Sequence, residues 1–122
     1  MTQEEKDLLL KDLSARLPYG IMITMGGRPP MRLEYIHNDW DFGDAYCMCS
    51  GFEYEIEECK PYLRPMSSMT DEEKIDYQAF FNYDGVEYPE EYIDYLNSHH
   101  IDYRGWIEKG LAIEAPNDMY EI

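Results

Sequence analysis

The chain is short of positive charge, has few cysteines and no long apolar run, and carries none of the common catalytic signatures. No stretch approaches the roughly 18–20 apolar residues a membrane-spanning helix needs, so none is expected. The opening residues, "MTQEEKDLLLKDLSARL", are charged and amphipathic and do not resemble a secretory leader. Three cysteines, an odd number, suit reduced thiols better than a disulfide framework. A cytoplasmic location is the expectation. The nucleophile elbow G-x-S-x-G, the phosphate loop and H-E-x-x-H are all missing. Ser67, Ser68 and Thr70 have no histidine or lysine base nearby except Lys60, so no catalytic residue is assigned and no cofactor is expected.

The shortage of bases is the sharpest of these deficits. Ten Lys and Arg stand against 26 Asp and Glu, for a formal charge of −16. Residues 1–66 hold twelve acids and seven bases, whereas residues 67–122 hold fourteen and three. A field of that sign repels phosphate backbones, which argues against direct DNA or RNA binding. It attracts a basic protein and speeds the encounter with one.

What is present reads as one globular domain over residues 1–122. Hydrophobic residues make up 44% and aromatics 15%, enough to offset chain entropy where disordered chains fail. The expected fold class is α+β: an N-terminal helix, a small curled antiparallel sheet of about four strands, then C-terminal helices.

Residues 2–17 form the first helix, with a capping box from Thr2 to Glu5 and one face of Leu9, Leu10, Leu13 and Leu17. Glu4, Lys11 and Asp12 lie off that face. "IMITM" (21–25), "MRLEYIH" (31–37), "AYCMCS" (45–50) and "FEYEIEEC" (52–59) read as a meander, curled or closed as an SH3-like barrel. Met31, Leu33, Tyr35 and His37 would share one side. "KPYLRP" is held extended by its prolines and read as a junction. A helix over 71–82 follows, capped by Thr70 and Glu73, with Ile75, Ala79 and Phe80 inward. Another over 89–99 puts Tyr92, Ile93 and Leu96 inward and Glu90, Glu91 and Asp94 outward. A helical turn at 106–109 and an extended finish complete the sheet region of about 20–60 and the helical region of about 70–110.

Two constellations could bind metal. Cys47 and Cys49 share a strand face, with Cys59 nearby, but a single-residue gap is shorter than the usual zinc spacing, and buried free thiols are the more frequent outcome. His99 and His100 point about 100° apart on a helix end, so they read as a polar cap. No metal is expected.

From Tyr77 to Tyr103 acids and tyrosines interleave. Carboxylates spaced along helices present charge much as phosphates do, and tyrosines supply rigid contact area. The partner-binding candidates are Asp76, Tyr83, Asp84, Glu87, Tyr88, Glu90, Glu91, Asp94 and Tyr95. The bland reading is an amphipathic pair with its tyrosines packed inward. A separate anion site at a seam between sheet and helices would use Lys60, Arg64, Ser67, Thr70 and Arg104. Lys60 and Arg64 are otherwise expected in buried pairs with acids.

"LLLKDLSARLPYG", "KPYLRPMSSMT" and "HHIDYRGWIEKGLAIEAP" resemble segments of small uncharacterised proteins of gut Bacteroidales genomes, their phages and mobile elements. That resemblance implies a bacterial or phage setting and an accessory or anti-defence role, and carries no functional residue with it. The leading expectation is an acidic, non-enzymatic protein-binding module that engages a basic surface on a nucleic-acid-handling partner, such as a nuclease. Concrete versions are a nucleic-acid mimic or an anti-defence (anti-CRISPR) inhibitor. The alternatives are a small-anion-binding protein or enzyme at the seam, and a structural oligomer.

Overall fold

The computed structural model describes residues 2–25, 28–39, 44–49, 51–79, 81–82, 85–86, 89–116 and 119–120. It has the expected α+β character. Helix α1 spans Gln3–Arg16. Its capping box forms: the Glu5 N–H donates to Thr2 Oγ1 at 3.1 Å, and the Thr2 N–H donates to Glu5 Oε1 at 2.9 Å. Leu9 and Leu13 are buried, with Leu10 and Leu17 packed against them. Asp12 departs from expectation: it is only 1% exposed. Its partner is Arg16, one turn on along the helix.

Strands β1 (Met22–Met25) and β2 (Met31–Arg32) pair antiparallel. Strands β3 (Tyr35–Asp39), β4 (Asp44–Cys49) and β5 (Phe52–Glu55) form a separate three-stranded sheet. The expected single meander is therefore split, and among the described residues no barrel closes. The chain changes sheet at one peptide: the Leu33 N–H donates to the Ile21 carbonyl and the Glu34 N–H to the Met48 carbonyl, both at 3.0 Å. Leu33 is buried at that step, while Tyr35 and His37 are exposed, so the four alternating residues do not share one side.

The segment read as a junction is strand β6 (Cys59–Pro65), the strand on which the larger sheet is organised. It pairs antiparallel with β1, then parallel with β9 (Ile101–Asp102) and β10 (Ile113–Glu114). Pro61 lies inside it, where a proline usually breaks a ladder. Alternation explains the tolerance. The Leu63 carbonyl accepts from the Ala115 N–H, so Pro61, two residues earlier, turns its nitrogen toward the same edge. Pairing with β10 begins only at Tyr62, so no ladder bond is lost there.

Helix α2 covers Asp71–Gln78, shorter than expected, and β7 (Phe81–Asn82) pairs with β8 (Gly85–Val86) after it. Aromatic residues lose rotamer freedom in a helix and suit a strand, which explains the early stop. Ile75 is 68% exposed and Ala79 is exposed; the buried α2 side chain is Glu73. Phe80 lies outside the described residues. Helix α3 (Pro89–Ser98) matches expectation, with Leu96 buried, Tyr92 and Ile93 half-buried, and Glu90, Glu91 and Asp94 exposed. After β9, the Asp102 carboxylate accepts the N–H groups of Trp106 and Ile107, both at 3.0 Å, and holds a turn. Strand β9 thus lies inside the region expected to be helical, whereas β10 falls in the finish expected to be extended.

One core lies among α1, β1, β4 and β6, around Leu13, Ile23, Cys47 and Leu63. A smaller one joins Met69, Leu96 and Ile101 beneath Tyr77, Tyr92, Tyr95 and Tyr103. Among the described residues, no helix is long and apolar enough to cross a membrane.

Candidate functional site

Two arginine–carboxylate networks flank the smaller core. In the first, Arg64 of β6 donates from Nη2 to Glu73 Oε1 at 2.7 Å and from Nη1 to Oε2 at 2.8 Å. The same guanidinium donates to the carbonyls of Ser68 and His99, at 3.1 and 3.3 Å. Glu73 sits at the third position of α2 because the Thr70 cap places it there: the Thr70 N–H donates to Oε1 at 2.9 Å and the Glu73 N–H to Thr70 Oγ1 at 3.2 Å. The Arg64 guanidinium holds the Glu73 carboxyl down to about 2, against the upward push of burial. Glu73 is therefore an ionised acceptor at neutral pH, so His99, with Nδ1 2.7 Å from Oε2, donates to it. The His99 ring stacks on Tyr95, with centroids 4.3 Å apart.

In the second network, Arg16 Nε donates to Asp12 Oδ2 at 2.9 Å and Nη2 to the Ile101 carbonyl at 2.7 Å. Arg104 Nη1 donates to the other oxygen of Asp12. Burial pushes the Asp12 carboxyl above its usual value, and both guanidiniums work against that push. Arg104 also lies 4.6 Å from the Tyr103 ring centroid, and Tyr103 donates to Asn97 Oδ1 at 3.0 Å.

Between β6, the turn after it and β10 runs a cleft of about 200 Å³, lined by Arg64, Pro65, Ser68, Thr70, Glu114, Ala115, Pro116 and Tyr120. Of the sequence-nominated anion site it contains Arg64 and Thr70. Lys60 is exposed, not buried in a pair as expected, and Ser67 is exposed; neither lines the cleft. Arg104 is committed to Asp12 in the other network. Arg64 already makes four hydrogen bonds, so an incoming anion competes with Glu73 for it.

Of the acid–tyrosine candidates, Asp76, Glu90, Glu91 and Asp94 are exposed. Asp71 and Glu72 join them on the outer side of α2. Tyr95 is half-buried and turned to the helix seam, where burial and then Asp76 raise its hydroxyl above the ordinary value. Tyr77 and Tyr92 also pack into that seam, with their hydroxyls 3.3 Å apart. Tyr83, Asp84, Glu87 and Tyr88 lie outside the described residues. Asp12 and Arg16 escaped sequence reasoning, although their spacing of four on a helix was a usable signal. Among the described residues, no group of three His, Cys, Asp or Glu is arranged to hold a metal ion.

Comparison of the chain with protein-family models, with curated proteins and with solved structures returned no match.

Proposed function

We propose that this protein is a non-enzymatic binding module that offers the acidic outer faces of α2 and α3 to a basic surface of a nucleic-acid-handling partner. The observation that supports it best is where the arginines go. Arg16, Arg64 and Arg104 are turned inward and bonded to Asp12 or Glu73. With buried Asp102 counted, three carboxylates match three cations in this inner set, Arg16 and Arg64 buried and Arg104 half-buried. It is charge-neutral, and the whole formal charge of −16 belongs to the remaining residues. The outer faces of α2 and α3 carry Asp71, Glu72, Asp76, Glu90, Glu91 and Asp94, interrupted by the single base Lys74.

Spaced carboxylates on a rigid helix pair mimic a phosphate row and steer a basic partner by long-range attraction. The setting that suits this is the bacterial cytoplasm, with the protein an accessory product of a phage or mobile element that inhibits a nuclease or similar machine. The alternative, a small-anion protein or enzyme at the seam, draws on the cleft but finds its arginines already bound to carboxylates.

The test is affinity capture from a bacterial host lysate at low and at high salt, repeated with the triple variant E90Q/E91Q/D94N. A basic nucleic-acid-handling protein retained at low salt, released at high salt and lost with the variant is the expected result. Binding indifferent to salt and to the variant, or no basic partner, overturns the reading.

A further inference from the structure

The ladder between β1 and β6 is interrupted by a side chain. Its Cα partners run from Met25 with Cys59, through Thr24 with Lys60, to Ile23 with Pro61, so Met22 and Tyr62 are next in register. Ile21 gives its carbonyl to the Leu33 N–H, and alternation along β1 turns the Met22 N–H the other way, toward β6. The Tyr120 hydroxyl stands between these two partners: it accepts from the Met22 N–H at 2.9 Å and donates to the Tyr62 carbonyl at 2.8 Å. Burial above all pushes this hydroxyl up to about 12, so it keeps its proton at neutral pH and serves both groups. The Tyr120 ring stacks on His100, with centroids 3.9 Å apart, and walls the cleft beside Glu114, Ala115 and Pro116.

We propose that Tyr120 is a removable peg: β1 and β6 are either bridged through its phenol or bonded directly, and withdrawing the peg deepens the cleft as far as the His100 ring. A backbone group deprived of its partner inside a protein is costly, which normally locks a side chain that serves one. Here the two groups served are each other's complement. Once the phenol leaves, one more rung of the ladder closes and neither group is stranded. The pegged state gains the burial of the ring against His100, and the withdrawn state gains a direct backbone bond. Two packed, hydrogen-bonded arrangements of one element make a bistable device.

The change is confined to one rung. On the near side β1 and β6 are already paired, and two residues further along β6 the Arg64 N–H donates to the His100 carbonyl at 2.8 Å, where β9 takes over as partner. Tyr120 thus sits where β6 exchanges one neighbouring strand for another, the place at which a ladder is easiest to part. His100 is 5% exposed, and the face that Tyr120 covers becomes an inner wall of the cleft when the ring withdraws. The peg shares no residue with the acidic outer faces of α2 and α3, so it stands or falls apart from the binding role proposed for them.

Nuclear magnetic resonance tests it on the full chain. Scalar coupling across the hydrogen bond between the Met22 nitrogen and the Tyr62 carbonyl carbon reports the direct rung. It is expected to be absent from the main state of the wild type and present in Tyr120→Ala. Relaxation dispersion at the Met22 amide of the wild type is expected to show a minor state whose shifts match those of Tyr120→Ala. Tyr120→Phe keeps the ring but strands both backbone groups while pegged, so it is expected to raise that minor population about tenfold. This comparison with the wild type decides alone if Tyr120→Ala does not fold. A folded Tyr120→Ala without the coupling, a minor state with the shifts of unfolded chain, or flat or equal profiles in the wild type and Tyr120→Phe overturns the proposal.

Discussion

Glu73 holds the Arg64 guanidinium with both carboxylate oxygens, at 2.7 and 2.8 Å, from the third position of a helix that Thr70 caps. Both residues are buried, at 3% and 7% exposure. A buried pair of this kind gains little over an apolar one, yet losing one member strands the other charge without solvent. Arg64→Ala or Glu73→Ala is therefore expected to lower stability by about 3–5 kcal/mol. Arg64→Met with Glu73→Leu should cost less than either single change. Urea unfolding of the three variants and wild type checks this, and a double variant that loses as much as the two single changes together would remove the pair from the account of stability.

The two capping boxes have the same sequence grammar but different surroundings. Thr2 caps an exposed helix start, whereas Thr70 also aims Glu73 at Arg64 and His99. Thr2→Ala should cost about 0.5–1 kcal/mol and Thr70→Ala about 2 kcal/mol, by chemical denaturation. Equal losses would mean that Arg64 positions Glu73 without the cap.

His100 supplies a pH dependence. Burial foremost, then the Arg16 charge, with His99 and Arg64 adding to them, hold its imidazole down at about 4; the Tyr19 backbone opposes them and Tyr120 stacks on the ring. The unfolded chain takes the same proton near 6.5. Between those values the unfolded chain binds a proton that the folded one refuses. Stability is thus lost as pH falls from 6.5 and levels off near 4, by about 3 kcal/mol. Glu73, held at about 2, adds a further loss as pH drops below its unfolded value of 4.5. Asp12, raised by burial, acts in the opposite sense, so the substitution of His100, and not the pH range alone, isolates the His100 part. His100→Asn tolerates the backbone φ of 59° and should flatten the slope there, measured by urea unfolding at stepped pH. An unchanged slope would assign it to another group.

Ile75 tests the surface of α2. At 68% exposure, its replacement by Glu should shift stability by less than about 0.5 kcal/mol, whereas Leu96→Ala, at 0% exposure, should cost about 2–5 kcal/mol. A large loss at Ile75 would mean that a further surface covers it.

The local grammar of the chain was legible in its sequence. Thr2 with Glu5 and Thr70 with Glu73 announced both helix starts, and α3 kept its faces as read. What escaped was everything set by distant partners. Asp12 read as lying off the apolar face because periodicity knows nothing of Arg104, 92 positions later. Ile75 read as core because α2 is anchored through a carboxylate instead of an apolar stripe. "KPYLRP" read as a joint because two prolines discourage a strand assignment, and only the edge geometry at Pro61 permits one. Of the candidate site, the outward acids and the buried pairing of Arg64 with a helix carboxylate were legible, and that of Lys60 was not. Lys60 went to solvent because no carboxylate is brought to it among the described residues.

Strand β6 meets β1 from upstream, but its pairings with β9 and β10 wait for chain that emerges some forty to fifty residues later. Closing such loops is slow, because the entropy is lost before any contact rewards it. On a ribosome, the sheet cannot be completed until residues 101–114 have been synthesised, and until then one edge of β6 stands open to other strands in the cell.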